Sequence, residues 1–140
     1  LMPSTIEDFG VGAALSNFCE SIKRSSSVAI SFEDSMKQKD SMVSKNQEIH
    51  LFRITQELVN NTLKHANAQN IRITLSEFDD FISLFYFDDG NGFNIDRVTL
   101  GSGIINIKER VEICKGEIRI DSKLGSTTCD IELPIENEKN

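Results

Sequence analysis

The chain has 140 residues, 39% of them hydrophobic, a length typical of one domain that buries about two thirds of its unfolded surface. Its net charge of -7 disfavours general binding to nucleic acid or direct contact with an anionic membrane, because those partners are held mainly by Lys and Arg. Three cysteines without a Cys-x-x-Cys spacing predict buried, reduced thiols rather than disulfides or a zinc site.

The first third of the chain predicts a helix, a strand and a polar connector. Apolar residues recur at helical spacing, which predicts a helix over residues 11–23. Val28, Ile30 and Phe32 alternate with polar residues, as in a half-buried strand. Residues 34–47 are rich in Lys, Ser, Asp and Gln, so we expect a connector there.

A long helix is predicted over residues 47–66, which contain neither Gly nor Pro and carry apolar residues on more than one side. At about 100° per residue, Glu57, Asn61 and Lys64 fall within about 60° of one another. They fill a polar gap in an otherwise apolar circumference. Taken alone, such a stripe is more often a solvated helix face, so its interpretation depends on the rest of the chain.

Two strands follow the long helix. Residues 71–75 alternate between apolar and polar side chains, whereas residues 81–87 are apolar at nearly every position. The second run is typical of a central strand, and it ends where Asp88 and Asp89 begin. Since side chains alternate along a strand, we expect these two carboxylates to point in different directions.

The last third predicts a helix and two strands. The helix begins after Ser102 and ends at Gly116, which is expected to be a left-handed C-terminal cap. Ile118 and Ile120 mark a short strand, and a final alternating strand ends at Pro134. The elements together predict an α+β fold, a two-layer α/β sandwich with helices on one face of a mixed, mostly antiparallel sheet.

Two spaced glycine pairs bracket the loop between the central strand and the last helix. Gly90 and Gly92 allow a tight turn directly after Asp88, because glycine carries no Cβ. Gly101 and Gly103 allow main-chain N–H groups to approach phosphates at a helix N-terminus. Either pair alone is more often a simple turn, so the indication of nucleotide binding comes from their order in the chain.

Four polar clusters occur in a fixed order: Glu57-x-x-x-Asn61-x-x-Lys64-His65, Asp88-x-Gly90-x-Gly92, Gly101-x-Gly103 and Gly125-Ser126-Thr127-Thr128. Together they resemble the ATP-binding domain shared by histidine kinases, type II topoisomerases, the Hsp90 chaperones and MutL, the GHKL superfamily. This resemblance implies the Bergerat fold. It covers a motif core of residues 47–134.

Within that superfamily the chain looks most like sensor histidine kinases of the nitrate-sensor and desaturase-thermosensor type. The similar segments are Gln56-Glu57-Leu58-x-x-Asn61-x-x-Lys64-His65-Ala66, Asp88-Asp89-Gly90-x-Gly92-Phe93, Gly103-Ile104-x-Asn106-Ile107-x-Glu109-Arg110-Val111 and residues 3–15. The resemblance implies that residues 1–140 form a single catalytic domain. The dimerisation helix with the phosphoacceptor histidine is expected to be absent from this chain and to lie upstream of Leu1.

The resemblance also implies roles for the polar residues. Asn61 would ligate Mg²⁺ through its amide oxygen, and Glu57 would orient or deprotonate the attacking group or a metal-bound water. Lys64 would meet phosphate charge, and His65 would help the phosphate site or cap the helix. Asp88 would accept a hydrogen bond from the adenine amino group, which guanine replaces with a carbonyl.

The glycine clusters and the final box complete the implied site. Its remaining nucleotide contacts are Gly90, Gly92, Gly101, Gly103, Thr127 and Thr128. The loop of residues 93–100 would be a short lid over the nucleotide. The last box departs from the usual Gly-x-Gly-Thr, because this chain reads Leu124-Gly125-Ser126-Thr127.

The function implied is that of a kinase catalytic domain that binds ATP and Mg²⁺ and passes the γ-phosphate to a histidine on a separate dimerisation domain. A response regulator is the further partner expected. The expected location is the cytoplasm, or the cytoplasmic part of a membrane-bound receptor kinase. Two alternatives stay open: an anti-sigma-factor-like serine kinase, and a nucleotide-binding module without catalysis. Neither His50 nor His65 is expected to be the phosphoacceptor.

Overall fold

A computed structural model describes residues 3–92 and 103–136 of the chain. The helices are α1 Ser4–Ser25, α2 Lys45–His65 and α3 Gly103–Ile113, and the strands are β1 Ala29–Ser35, β2 Asn70–Glu77, β3 Phe81–Asp88, β4 Glu117–Lys123 and β5 Ser126–Pro134. Every predicted helix and strand therefore has a counterpart. Within these residues no helix is both long enough and apolar enough to cross a bilayer.

The sheet has the strand order β1-β2-β3-β5-β4. Strands β1 and β2 pair in parallel, and the other neighbours pair antiparallel. The helices pack on one face of this sheet, with α2 between α1 and α3. The predicted two-layer sandwich with a mixed, mostly antiparallel sheet is confirmed.

The core lies between the helices and the inner face of the sheet. Alternate residues of the central strands are buried there: Ile71, Ile73, Leu75, Ile82, Leu84, Tyr86, Cys129, Ile131 and Leu133. Strand β3 is central, as predicted, yet its outer face is only half-buried and carries Phe81, Phe85 and Phe87. The Arg72 guanidinium lies 4.9 Å from the Phe87 ring centroid. Aromatic residues on the outer face thus explain the continuous apolar run.

Helix α1 begins earlier than predicted and is kinked at Gly10, where φ is 88° and ψ is 171°. The backbone N–H of Val11 restarts the helix and donates to Oε2 of Glu48 over 2.9 Å. Glu48 comes from α2, is buried, and forms an ion pair of 3.1 Å with Lys45. Its carboxylate therefore caps the second half of α1, where a negative charge is favourable.

Helix α2 begins at Lys45, earlier than predicted, because Ser44 and Gln47 form a capping box. The Gln47 side chain is buried, and its Nε2 donates to the carbonyl oxygen of Pro134 over 2.6 Å. This bond ties the start of α2 to the end of β5. Pro134 pairs with Phe81 at the start of β3, and the far end of α2 lies beside the end of β3, where Gly90 approaches Ala66.

The prediction of a left-handed Gly116 after α3 is wrong, because Lys115 takes that conformation with φ of 58°. The N–H of Gly116 still closes the helix by donating to Val111 O over 2.9 Å. Glycine is needed at 116 for a different reason. A Cβ there would lie 2.5 Å from the carbonyl oxygen of Glu132, where the chain passes β5.

The three cysteines are free and buried, as predicted. Burial raises the pKa of the Cys129 thiol to about 12 and those of Cys19 and Cys114 to about 11. At neutral pH these thiols are protonated, so they behave as small apolar core residues rather than as nucleophiles.

Candidate nucleotide-binding site

The polar stripe of α2 lies against the start of α3. A Cβ built on Gly103 would be 2.8 Å from Oε2 of Glu57 and 3.7 Å from Cγ of Asn61. The structure thus brings together three residues that the sequence predicted for one site. Because the first N–H groups of a helix have no partner within it, this junction offers backbone donors beside an amide and a carboxylate.

A buried carboxylate stands at the end of β3. Asp88 is 2% exposed. Its Oδ2 accepts hydrogen bonds from Thr62 Oγ1 over 3.0 Å and from the Tyr86 hydroxyl over 2.9 Å, and its Oδ1 accepts one from the N–H of Gly90 over 2.9 Å. In the part of the chain that the structure describes, no Lys or Arg pairs with it. Hydroxyl and amide donors therefore stabilise this charge.

Sequence reasoning missed Thr62 and Tyr86. Tyr86 precedes Asp88 by two positions, so strand alternation places both on the same face of β3. Thr62 follows Asn61 directly on α2. Burial, reinforced by the Asp88 charge, raises the pKa of the Tyr86 phenol, which keeps it protonated as a donor. The two-residue spacing of Tyr86 and Asp88 could have indicated Tyr86 from the sequence. Thr62 reaches Asp88 only because α2 packs on β3.

Thr127 and Thr128, both predicted for the final box, point to opposite faces of β5. Thr127 pairs with Asp88 across the β3–β5 ladder, is buried, and lies 2.7 Å from the Ser122 hydroxyl through its Oγ1. Thr128 pairs with Phe87 instead and is half-buried on the outer face. The structure brings Thr127 to the carboxylate and leaves Thr128 on the other side of the sheet.

The loop after β3 is held by close backbone contacts. A Cβ on Gly90 would lie 2.5 Å from the carbonyl oxygen of Ala66, at the end of α2. Gly92 has φ of 77°, and a Cβ there would lie 2.8 Å from Lys123 O. The N–H of Gly125 donates to Gly90 O over 2.8 Å. Both glycines of the first pair are therefore required by geometry.

Asp89 points away from Asp88, as predicted. Its Oδ1 accepts from the N–H groups of Gln69 and Asn70, each over 2.9 Å, and its Oδ2 accepts from Asn70 Nδ2 over 2.8 Å. These bonds, chiefly from the Asn70 side chain and N–H, lower the pKa of the Asp89 carboxyl. Asp89 fixes the turn between α2 and β2.

Lys64 and His65 lie in the last turn of α2 and are exposed. Lys64 is on the same helix face as Asn61, about one turn further along. Among residues 3–92 and 103–136, neither side chain has a hydrogen-bond or ion-pair partner. Gly101 and the predicted lid of residues 93–100 lie outside the described residues.

His50 packs against α3 and lies about two turns before Glu57 on the same side of α2. Because a guanidinium only donates, Nδ1 of His50 accepts from Nη1 of Arg110, over 3.1 Å. Burial, followed by the Arg110 charge, lowers the pKa of His50. This side chain is a packing residue in the structure.

The sequence profile of the histidine kinase-, DNA gyrase B- and HSP90-like ATPases matches residues 46–137. The chain belongs to this ATPase family. Residues 46–137 therefore form an ATP-binding domain of this family.

Sensor kinases are among the relatives of this ATPase domain. The histidine-protein kinase/phosphatase DegS of Bacillus subtilis is 30% identical over 139 residues, which cover 95% of this chain and 36% of that protein. The sensor protein VraS of Staphylococcus aureus is 37% identical over 101 residues, covering 71% of this chain and 29% of that protein. The chain thus spans about a third of the length of these relatives.

Solved structures of histidine kinases share the fold. The histidine kinase domain of the Erythrobacter litoralis EL346 blue-light activated kinase has a TM-score of 0.73 at 18% identity, covering 89% of this chain and 61% of that one. Acinetobacter baumannii AdeS has a TM-score of 0.69 at 13% identity, covering 91% and 64% respectively. At these identities the similarity establishes the fold of the ATPase domain.

The residues of this ATPase domain fit a magnesium nucleotide. Asn61 and Glu57 offer an amide oxygen and carboxylate oxygens, the kind of ligand that Mg²⁺ prefers. They lie beside Gly103, where a Cβ would collide with Glu57. At the other end, Asp88 offers a buried acceptor that a purine amino group can use.

Proposed function

We propose that this chain is the ATP-binding catalytic domain of a two-component sensor histidine kinase. It would bind Mg-ATP and donate the γ-phosphate to a histidine on a separate dimerisation domain. The observation that carries the proposal is the approach of Gly103 to Glu57 and Asn61. That approach sets the start of a helix, whose first N–H groups have no partner within the helix, against the side chains suited to a metal-bound phosphate.

The adenine end of the proposed site is Asp88. Its carboxylate would accept a hydrogen bond from the adenine amino group and disfavour guanine, whose carbonyl at that position repels a second acceptor. The buried Thr127 is its neighbour on β5 and would border the same pocket. Gly90 and Gly92 would hold the loop that closes this end.

The phosphate end would be formed by α2 and the glycines at the start of α3. Asn61 would hold the ion, and Glu57 would orient or deprotonate the attacking group. Bound Mg²⁺ would supply neutralisation of the phosphate charge. Lys64 would meet phosphate charge, His65 would help the phosphate site or cap the helix, and Gly101 would offer a backbone donor.

Phosphoryl transfer asks little covalent chemistry of the protein, so positioning and electrostatics would carry the reaction. The chain's own share would be to select adenine, align the phosphates along α2 and keep them oriented for a partner. That partner would be the dimerisation domain of the parent kinase, followed by a response regulator. A cytoplasmic location is part of the same proposal.

The test is calorimetric titration of the chain with ATP in the presence of Mg²⁺ and again with EDTA. Asn61→Ala should abolish the Mg²⁺-dependent part of the affinity. Asn60→Ala is the matched control, because Asn60 is the adjacent residue of α2 and is exposed. The chain alone should not autophosphorylate. Absence of binding at millimolar ATP would contradict the proposal.

A further inference from the structure

The hydroxyl groups of Thr62 and Tyr86 meet at one oxygen of the Asp88 carboxylate. Both hydroxyl oxygens lie within hydrogen-bond distance of Oδ2, at 3.0 Å and 2.9 Å, and they also contact each other. We propose that they are positioning residues, which occupy Oδ2 and leave Oδ1 as the atom that accepts the adenine amino group. This inference rests on the proposed function, since it assumes that Asp88 binds adenine.

Counting acceptor sites identifies the free oxygen. A carboxylate oxygen accepts about two hydrogen bonds. Among residues 3–92 and 103–136, the two hydroxyls of Thr62 and Tyr86 lie beside Oδ2, whereas the one donor to Oδ1 is the N–H of Gly90, over 2.9 Å. One acceptor site therefore remains on Oδ1.

The Asp88 carboxylate and both hydroxyl groups are buried. Asp88, Tyr86 and Thr62 are 2%, 1% and 6% exposed, so bulk solvent has little access to the carboxylate. A buried charge that lacks donors is costly, and each hydroxyl here faces that charge. The other inward residues of β3, Ile82 and Leu84, are apolar, so Tyr86 is a polar exception placed one pleat before Asp88.

The two hydroxyls come from different layers of the fold. Thr62 is on α2, next to Asn61, and Tyr86 is on β3, two residues before Asp88. Their contacts therefore connect the helix of the proposed phosphate end to the strand of the adenine end. Loss of either hydroxyl should loosen the carboxylate and reduce the discrimination for the amino group.

The experiment measures dissociation constants for ATP and for purine riboside triphosphate, which lacks the 6-amino group. The wild-type chain should bind ATP more tightly than the analogue. Tyr86→Phe and Thr62→Val should each weaken ATP binding by roughly 10-fold, because a carboxylate that is no longer held in place makes a weaker hydrogen bond to the amino group. Binding of the analogue should change little, because it makes no contact with Oδ1. Thr62→Ser retains the hydroxyl and should restore ATP affinity.

A second buried threonine supplies the structural control. Thr55 is on α2, fully buried, and its hydroxyl donates to Leu51 O over 2.9 Å, away from Asp88. Thr55→Val should lower the unfolding temperature without changing the ratio of ATP to analogue affinity. Equal losses for ATP and analogue in Tyr86→Phe and Thr62→Val, or unchanged ATP affinity in both, would overturn the positioning role.

The same measurements distinguish a failure of the positioning role from a failure of the proposed adenine contact. If the wild-type chain binds Mg-ATP and prefers it to the analogue, yet the hydroxyl variants keep that preference, only the positioning role fails. If the wild-type chain binds both equally, the adenine contact of Asp88 fails and the positioning role fails with it.

Discussion

Gly103 and Glu57 are so close that a Cβ on the glycine would lie 2.8 Å from Oε2 of the glutamate. The obstructing atom is the end of a flexible side chain, which can move aside. An alanine at 103 would therefore displace the Glu57 carboxylate without disturbing the packing of the helices. The contact links the start of α3 to the polar stripe of α2.

Gly103→Ala should separate function from stability. Alanine is the better helix former, so the unfolding temperature should stay the same or rise slightly. Affinity for Mg-ATP should fall several-fold, because Glu57 is pushed from its position.

Gly116→Ala is the contrasting variant, since its Cβ would meet the backbone oxygen of Glu132 at 2.5 Å. It should lose about 1–3 kcal/mol of unfolding free energy. Unchanged ATP affinity in Gly103→Ala would contradict the proposed role of this junction.

Asp88→Asn should weaken ATP binding by about 10- to 100-fold while the fold is retained, because the amide removes the charge and one acceptor. Calorimetric titration measures this effect. Asp89→Asn is the matched control, since the Asp89 side chain holds the turn before β2 through Gln69 and Asn70. Its ATP affinity should match that of the wild-type chain. Equal affinities in the two variants would exclude Asp88 as the adenine residue.

The stability of the chain should fall as pH drops below about 6.5, in part through His50. Burial and then Arg110 lower the pKa of His50 in the fold, and the Glu136 carboxylate opposes this shift. The unfolded chain therefore binds more protons than the folded chain in that range, so stability is lost on acidification. Urea unfolding at about pH 7.5 and about pH 5.5 should show a smaller loss in His50→Gln. Equal losses of stability in the wild-type chain and in His50→Gln would exclude His50 as a cause of the pH dependence.

Glu48→Ala should destabilise the chain by about 1–3 kcal/mol, because the buried N–H of Val11 loses its acceptor at the kink of α1. Thermal or urea unfolding measures the loss. Glu7→Ala removes an exposed acid from the first turn of α1 and should change stability by less than about 0.5 kcal/mol. A similar effect in both variants would show that the buried cap contributes nothing specific.

The elements and the main site residues could be predicted from the sequence because their signals are local. Helical periodicity places Glu57, Asn61 and Lys64 on one face whatever the rest of the chain does. Strand alternation separates Asp88 from Asp89 in the same way. The order of the motifs then supplied the family, which the profile match confirms. The roles of these residues stay predictions.

Other features depend on residues that are distant in the chain, and only the tertiary structure decided them. Thr62 and Tyr86 are 24 positions apart, and they meet at Asp88 because α2 packs on β3 in one register. Gly116 is required by the backbone of β5 rather than by its own φ. Local spacing is set by the covalent chain, whereas contacts between elements are set by packing, which no short stretch of sequence contains.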